Sequence, residues 1–171
     1  LLMCARLGPR VFRAAASVHP WLPLLLPECR TIQHARQELR WLVQEFGSRS
    51  LALHKACIQR SQHIPLQYIL GSQPFGDLDI KCKKNVLIPR WETEEWSMRL
   101  TRAINETLGE TRPSDKWRIT DLCTGTGCIP LTIFNETRHL FKGPGLDIAA
   151  ADCSPAAIRL VNENYTHNFP R

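Results

Sequence analysis

The residue types best placed to do chemistry lie in the run DLCTGTG, residues 121–127, and in a second acid, Asp152, 25 residues beyond Gly127. Gly125 and Gly127 dispense with a Cβ at two points where an apolar strand, residues 117–122, hands over to a helix beginning at Cys128. Backbone N–H groups in such a turn can take up a carboxylate or a phosphate, and a ligand can approach the chain closely. An acid at the end of the next strand, as Asp152 is, can accept hydrogen bonds from both ribose hydroxyls. Together these features point to a ligand that contains adenosine.

Two cofactors compete for that description. A dinucleotide site of the G-x-G-x-x-G type needs a third glycine so that helix and strand pack closely; counted from Gly125 that position is Pro130, so the fingerprint fails. S-adenosylmethionine has no pyrophosphate to cradle. The run DLCTGTG resembles the loop of methyltransferases that use it, with Asp121 as the acid at the strand end and Cys123, Thr124, Gly125, Thr126 and Gly127 as the loop. Cys123 stands where such loops commonly carry glycine, a place that suits a cysteine if its φ is negative. Cys123 and Cys128 read as packing residues.

The elements that must position this loop follow an alternating α/β rhythm. After the strand at 117–122 comes a helix from Cys128 to about Leu140, with Pro130 in its first turn. A strand at 147–151 then leads to a helix capped by Ser154 with Pro155 at its first position. Upstream, residues 64–96 are rich in β-branched and aromatic residues broken by Gly and Pro, which predicts a β-hairpin or pair of short strands with a turn near 74–77. The extended NVLIP then predicts a helix from Glu92 to about Leu108 with Thr93 or the preceding residues near its cap, and GETRPSDKW, residues 109–117, is a polar connection. Residues 31–46 place Ile32, Ala35, Leu39, Leu42, Val43 and Phe46 on one side of a helix, and residues 50–60 repeat the pattern weakly before Pro65. These two helices offer no close pairing of acid, base and nucleophile, so they read as a docking module.

Bulk properties narrow the setting. The chain has 171 residues, room for one ordinary domain or a small domain beside part of another. Its formal charge of +6 suits a partner rich in phosphate or carboxylate. Seven cysteines form no CxxC pair, so reduced, mostly buried thiols are expected. His34, His54, His63 and His139 lack metal-ligand spacing, and no metal is expected. No apolar run reaches the roughly 20 residues that cross a bilayer, so no membrane partner is expected. The first 27 residues contain no acid and place Arg6, Arg10 and Arg13 at helical spacing, the composition of a mitochondrial transit peptide for a matrix protein.

Four segments in order, IPLQYILGSQPFGDLDI, VLIPRWETE, DLCTGTGCI and AADCSPAAIRLVNEN, resemble the HemK/PrmC family of release-factor glutamine methyltransferases over about residues 62–168. With the basic leader, the resemblance is to the mitochondrial branch. The most specific segment, IPRxETE, is matched by Arg90, Glu92, Thr93 and Glu94, with Trp91 in place of the usual proline. The same acids also sit favourably at the positive end of a helix dipole. The resemblance implies the start of a Rossmann-like class I methyltransferase sheet preceded by a β-hairpin and a small N-terminal helical domain. On that basis residues 1–27 are the transit peptide, 28–63 a release-factor-binding helical module, 64–91 a hairpin linker and 92–171 a partial methyltransferase domain.

The activity implied is methyl transfer from S-adenosylmethionine to the glutamine side-chain amide in the Gly-Gly-Gln motif of a mitochondrial class I peptide release factor. In the family an Asn-Pro-Pro-Tyr motif holds that glutamine. The motif does not occur among these 171 residues, so no catalytic residue is assigned and the chain is expected to be a truncated form of a longer enzyme. Two other functions remain open: an adenine-N6 nucleic-acid methyltransferase, which shares the missing motif, and a non-catalytic remnant that binds the release factor or ribosome. Nucleic acid is otherwise expected only indirectly, through the ribosome.

Overall fold

The computed structural model describes residues 7–110, 117–141 and 145–170; Cys4, Arg6 and residues 111–116 of the connection at 109–117 lie outside the described residues. The chain forms two units, Leu1–Leu70 and Gly71–Arg171.

The first unit is helical: α1 Pro9–Val18, α2 Leu22–Cys29, α3 Ile32–Phe46, α4 Leu51–Ser61 and α5 Leu66–Leu70. Side-chain caps start the two longest. Thr31 Oγ1 accepts the His34 N–H at 3.1 Å and Ser50 Oγ accepts the Leu53 N–H at 3.0 Å. The core gathers Leu22, Leu25 and Leu26 of α2 with Leu39 and Leu42 of α3 and Leu53 and Cys57 of α4. Arg60 at the end of α4, nearly buried, pins this bundle: it grips both carboxylate oxygens of Glu38 on α3 at 2.7 and 2.9 Å and lies 3.4 Å from Glu28 on α2.

This unit is larger than the two helices read from the sequence. The boundary expected at residue 27 falls inside α2, whose Leu22, Leu25 and Leu26 are fully buried, and residues 66–70, read as part of a strand-rich stretch, form α5. Pro23 lies in the first turn of α2, where its missing N–H leaves no bond unmade. Pro27 lies deeper, and burial of Leu22, Leu25 and Leu26 before it offsets the backbone bond that it gives up. Among the described residues no helix is long and apolar enough to cross a membrane.

The second unit mixes strands and helices: β1 Ser72–Phe75, β2 Leu78–Lys81, α6 Trp91–Glu110, β3 Trp117–Leu122, α7 Cys128–Thr137, β4 Leu146–Ala151 and α8 Pro155–Asn168. Strands β1 and β2 pair antiparallel around the loop Gly76-Asp77, with the positive φ that a primed hairpin turn requires falling on Gly76 (+57°). Strands β3 and β4 pair parallel, from Trp117 opposite Leu146 to Leu122 opposite Ala151, and α7 lies in the connection between them. Arg118, Thr120 and Leu122 of β3 are exposed while Trp117, Ile119 and Asp121 alternate with them half-buried. Helix α7 ends at Thr137 and tightens into a 3-10 turn, Arg138–Leu140. Helix α6 begins at Trp91, so the residues preceding Thr93 border its start and Thr93 itself lies inside the first turn. Phe75, Leu78 and Ile80 of the hairpin pack with Cys128 and Leu131 of α7.

Candidate functional site

Asp121 is the penultimate residue of β3, and Cys123 to Gly127 turn the chain into α7. The Thr124 N–H donates to the carbonyl of Ala151, the last residue of β4, at 3.1 Å, and the Gly127 N–H closes a turn on the Thr124 carbonyl at 2.9 Å. Both glycines adopt positive φ, +58° at Gly125 and +79° at Gly127. Their tasks differ. A Cβ on Gly127 would meet Val161 of α8 at 3.0 Å, whereas one on Gly125 would meet nothing within 4 Å. Gly127 therefore admits the neighbouring helix, and Gly125 leaves one side of the loop open.

Cys123 has φ +61°, so it does not take the negative φ that would suit it. The left-handed conformation costs a residue with a Cβ about 1–2 kcal/mol. Its side chain is exposed, unlike that of Cys128, which is buried at the start of α7.

Asp152 sits just past β4, and its carboxylate braces the loop. Oδ1 accepts the Ser154 N–H at 2.8 Å and Oδ2 accepts the Gly125 N–H at 2.9 Å. These backbone donors, Ser154 foremost, hold the Asp152 carboxyl below the usual aspartate range. The N–H groups of Thr124, Gly125 and Gly127 are thus all spent within the protein, and a phosphate would find none of the three free. What the loop offers instead are acceptors. Asp121 Oδ2 and Thr124 Oγ1 are buried with no hydrogen-bond partner, and each Asp152 oxygen retains a lone pair. Such a site matches a ligand that donates hydrogen bonds or carries positive charge.

The structure brings Asp121, Cys123, Thr124, Gly125, Thr126, Gly127 and Asp152 into one cluster at the C-terminal ends of β3 and β4. Arg90, Glu92, Thr93 and Glu94 border the start of α6. The Arg90 carbonyl accepts the Thr93 and Glu94 N–H groups at 3.0 and 3.1 Å, and Glu94 Oε1 accepts the Gly76 N–H at 2.8 Å, clamping the hairpin turn. Sequence reasoning missed Asn164 of α8, which is fully buried and donates to the Thr126 carbonyl at 2.9 Å. Its signal was a polar residue on the stripe formed by Ala157 and Leu160, the buried face of that helix.

No protein-family model matches the chain. Over 163 residues, 95% of its length, it is 45% identical to the mitochondrial MRF1 N(5)-glutamine methyltransferase MTQ1 of Saccharomyces cerevisiae, of which the match covers 49%. It is 41% identical over 130 residues to the probable MRF1 mitochondrial N(5)-glutamine methyltransferase mtq1 of Schizosaccharomyces pombe, covering 75% of this chain and 39% of that one. A release factor glutamine methyltransferase from Moorella thermoacetica is 36% identical over 110 residues, 64% of this chain and 34% of its own length. The chain spans about half the length, or less, of the curated relatives it matches. Along the stretch that it shares with them, the chain belongs to the release factor glutamine methyltransferase family.

Proposed function

We propose that this chain forms the S-adenosylmethionine side of a Rossmann-like class I methyltransferase domain. The protein that carries it methylates the glutamine side-chain amide in the Gly-Gly-Gln motif of a mitochondrial class I peptide release factor, in the mitochondrial matrix. The observation that carries this reading is the balance of donors and acceptors at the glycine loop. With the Thr124, Gly125 and Gly127 N–H groups engaged and Asp121, Thr124 and Asp152 left as acceptors, the site favours a cationic ligand with free hydroxyls over a pyrophosphate.

Bound there, S-adenosylmethionine would supply a methyl group on a cationic sulfonium. Asp152 accepts hydrogen bonds from the ribose hydroxyls with the lone pairs that Gly125 and Ser154 do not use. Asp121 Oδ2 and Thr124 Oγ1 give further acceptors, suited to an ammonium group. Cys123, Gly125, Thr126 and Gly127 complete the wall of the loop, open at Gly125. The parallel β3–β4 pair with its helical connection, and a cluster at the strands' C-terminal ends, supports the Rossmann-like assignment.

An amide nitrogen is a poor nucleophile because its lone pair is delocalised, so the target NH₂ must be oriented and its protons accepted. The Asn-Pro-Pro-Tyr motif that does this in the family is not among these residues, so their contribution is to hold the methyl donor. The helical unit is the proposed release-factor-binding module, and Glu94 holds the turn of the hairpin that lies between module and loop in sequence. The acid-free basic leader and the mitochondrial relatives support the location.

The test is mass spectrometry of a mitochondrial release factor incubated with S-adenosylmethionine and the longer protein that carries this chain. One added methyl group on the Gly-Gly-Gln glutamine is expected. Methylation of adenine in DNA or RNA in its place would overturn the substrate.

A further inference from the structure

Among the described residues the hairpin strand β2 has no strand on its outer side, yet its outward backbone groups at Asp79 and Lys81 are paired. The Lys81 N–H donates to Asn164 Oδ1 at 2.7 Å, and the Lys81 carbonyl accepts from Asn164 Nδ2 at 3.3 Å. Two residues earlier the Asp79 N–H donates to Asn168 Oδ1 and the Asp79 carbonyl accepts from Asn168 Nδ2, both at 3.0 Å. Four residues along α8 rise about 6.0 Å and two residues along a strand about 6.8 Å, so the two side-chain amides stand nearly in step with alternate residues of β2. They take the place of a neighbouring strand and seal the edge. Pro74 of β1 lies opposite Asp79 and has no N–H to give; Asp79 turns its own groups outward to Asn168, so the proline leaves nothing unpaired there.

Asn164 does more than Asn168. It is fully buried, and its amide nitrogen also donates to the Thr126 carbonyl in the glycine loop at 2.9 Å. One side chain therefore ties the hairpin edge, α8 and the loop together with both amide hydrogens and the oxygen in use. The further nitrogen contact of Asn168 stays inside its own helix, on the Asn164 carbonyl at 2.9 Å.

We infer that Asn164 is a positioning residue that fixes the shape of the glycine loop by clasping the Thr126 carbonyl against the edge of the hairpin. The consequence for cofactor affinity rests on the function proposed above; the clasp itself does not. Asn168→Ala is the matched control, because it strips the equivalent pair of backbone groups, those of Asp79, from β2 and spares the loop.

Amide hydrogen exchange and calorimetry with S-adenosylhomocysteine on the 171-residue chain test this. In Asn164→Ala, exchange at the Gly125 and Gly127 N–H groups should rise about tenfold or more relative to the β3–β4 ladder, with a similar loss of affinity. In Asn168→Ala both should stay within about twofold of the parent chain once the ladder is used as reference. A merely structural role would speed ladder and loop alike, and that result would overturn the inference while leaving the cofactor assignment intact. Failure of the parent chain itself to bind S-adenosylhomocysteine would overturn the cofactor assignment and the predicted affinity effect with it. Should Asn164→Ala not fold, Asn164→Asp, isosteric and able only to accept when ionised, must give the same loop-selective exchange.

Discussion

The Asp152 carboxylate accepts the Gly125 backbone N–H at 2.9 Å, linking the end of β4 to the loop that follows β3. The acid that the sequence assigns to a ligand thus first shapes the loop. Asp152→Ala is expected to weaken S-adenosylhomocysteine binding by at least about tenfold, since it removes a ligand acceptor and leaves the loop N–H unpaired. Asp152→Asn, which keeps one acceptor oxygen, should fall between the two. Calorimetry of the three proteins checks this ranking.

The same carboxyl sets an acid limb of stability. Its folded pKa lies below the ordinary value, so its stabilising contribution is present above the unfolded pKa and lost as pH falls through the folded one. Thermal melts across the acid range should show a loss of stability in the parent chain that is smaller in Asp152→Asn.

Cys123 and Gly127 predict opposite outcomes for one substituent. Cys123→Gly relieves a left-handed Cβ and should stabilise the second unit by about 1 kcal/mol. Gly127→Ala adds a Cβ at φ +79° and 3.0 Å from Val161. It should cost about 2 kcal/mol, because both the backbone and the packing of α8 must give. Urea denaturation reads both.

Removal of residues 1–27 would cut α2 and take with it Leu22, Leu25 and Leu26, all fully buried. The helical unit should then lose cooperative melting by circular dichroism, while Leu25→Ala should cost roughly 3 kcal/mol and keep it. Arg60→Ala should cost about 3 kcal/mol as well, by stranding Glu38 and Glu28 without their shared cation.

Local signals made part of this legible in the sequence. An apolar run ending in an acid and two glycines marks β3 and its turn, and Ser154 followed by Pro155 marks the start of α8, because caps and turns are set by neighbours in the chain. Contacts across the fold were not legible. The proline-broken stretch at α2 hides a helix because its stability comes from leucines packed on α3 and α4. Whether Cys123 takes positive φ depends on the whole turn, and the place of Asn164 depends on a hairpin 83 residues away. Likewise Gly127 reads as a ligand-side glycine until α8 is seen against it.

The most direct test is calorimetric titration of S-adenosylhomocysteine, and separately of NAD, into the 171-residue chain. Saturable binding of S-adenosylhomocysteine, displaced by S-adenosylmethionine and lost in Asp152→Ala, with no heat from NAD, is the predicted result. Preference for NAD, or no binding of S-adenosylhomocysteine by a chain that melts cooperatively, would contradict the assignment of the glycine loop.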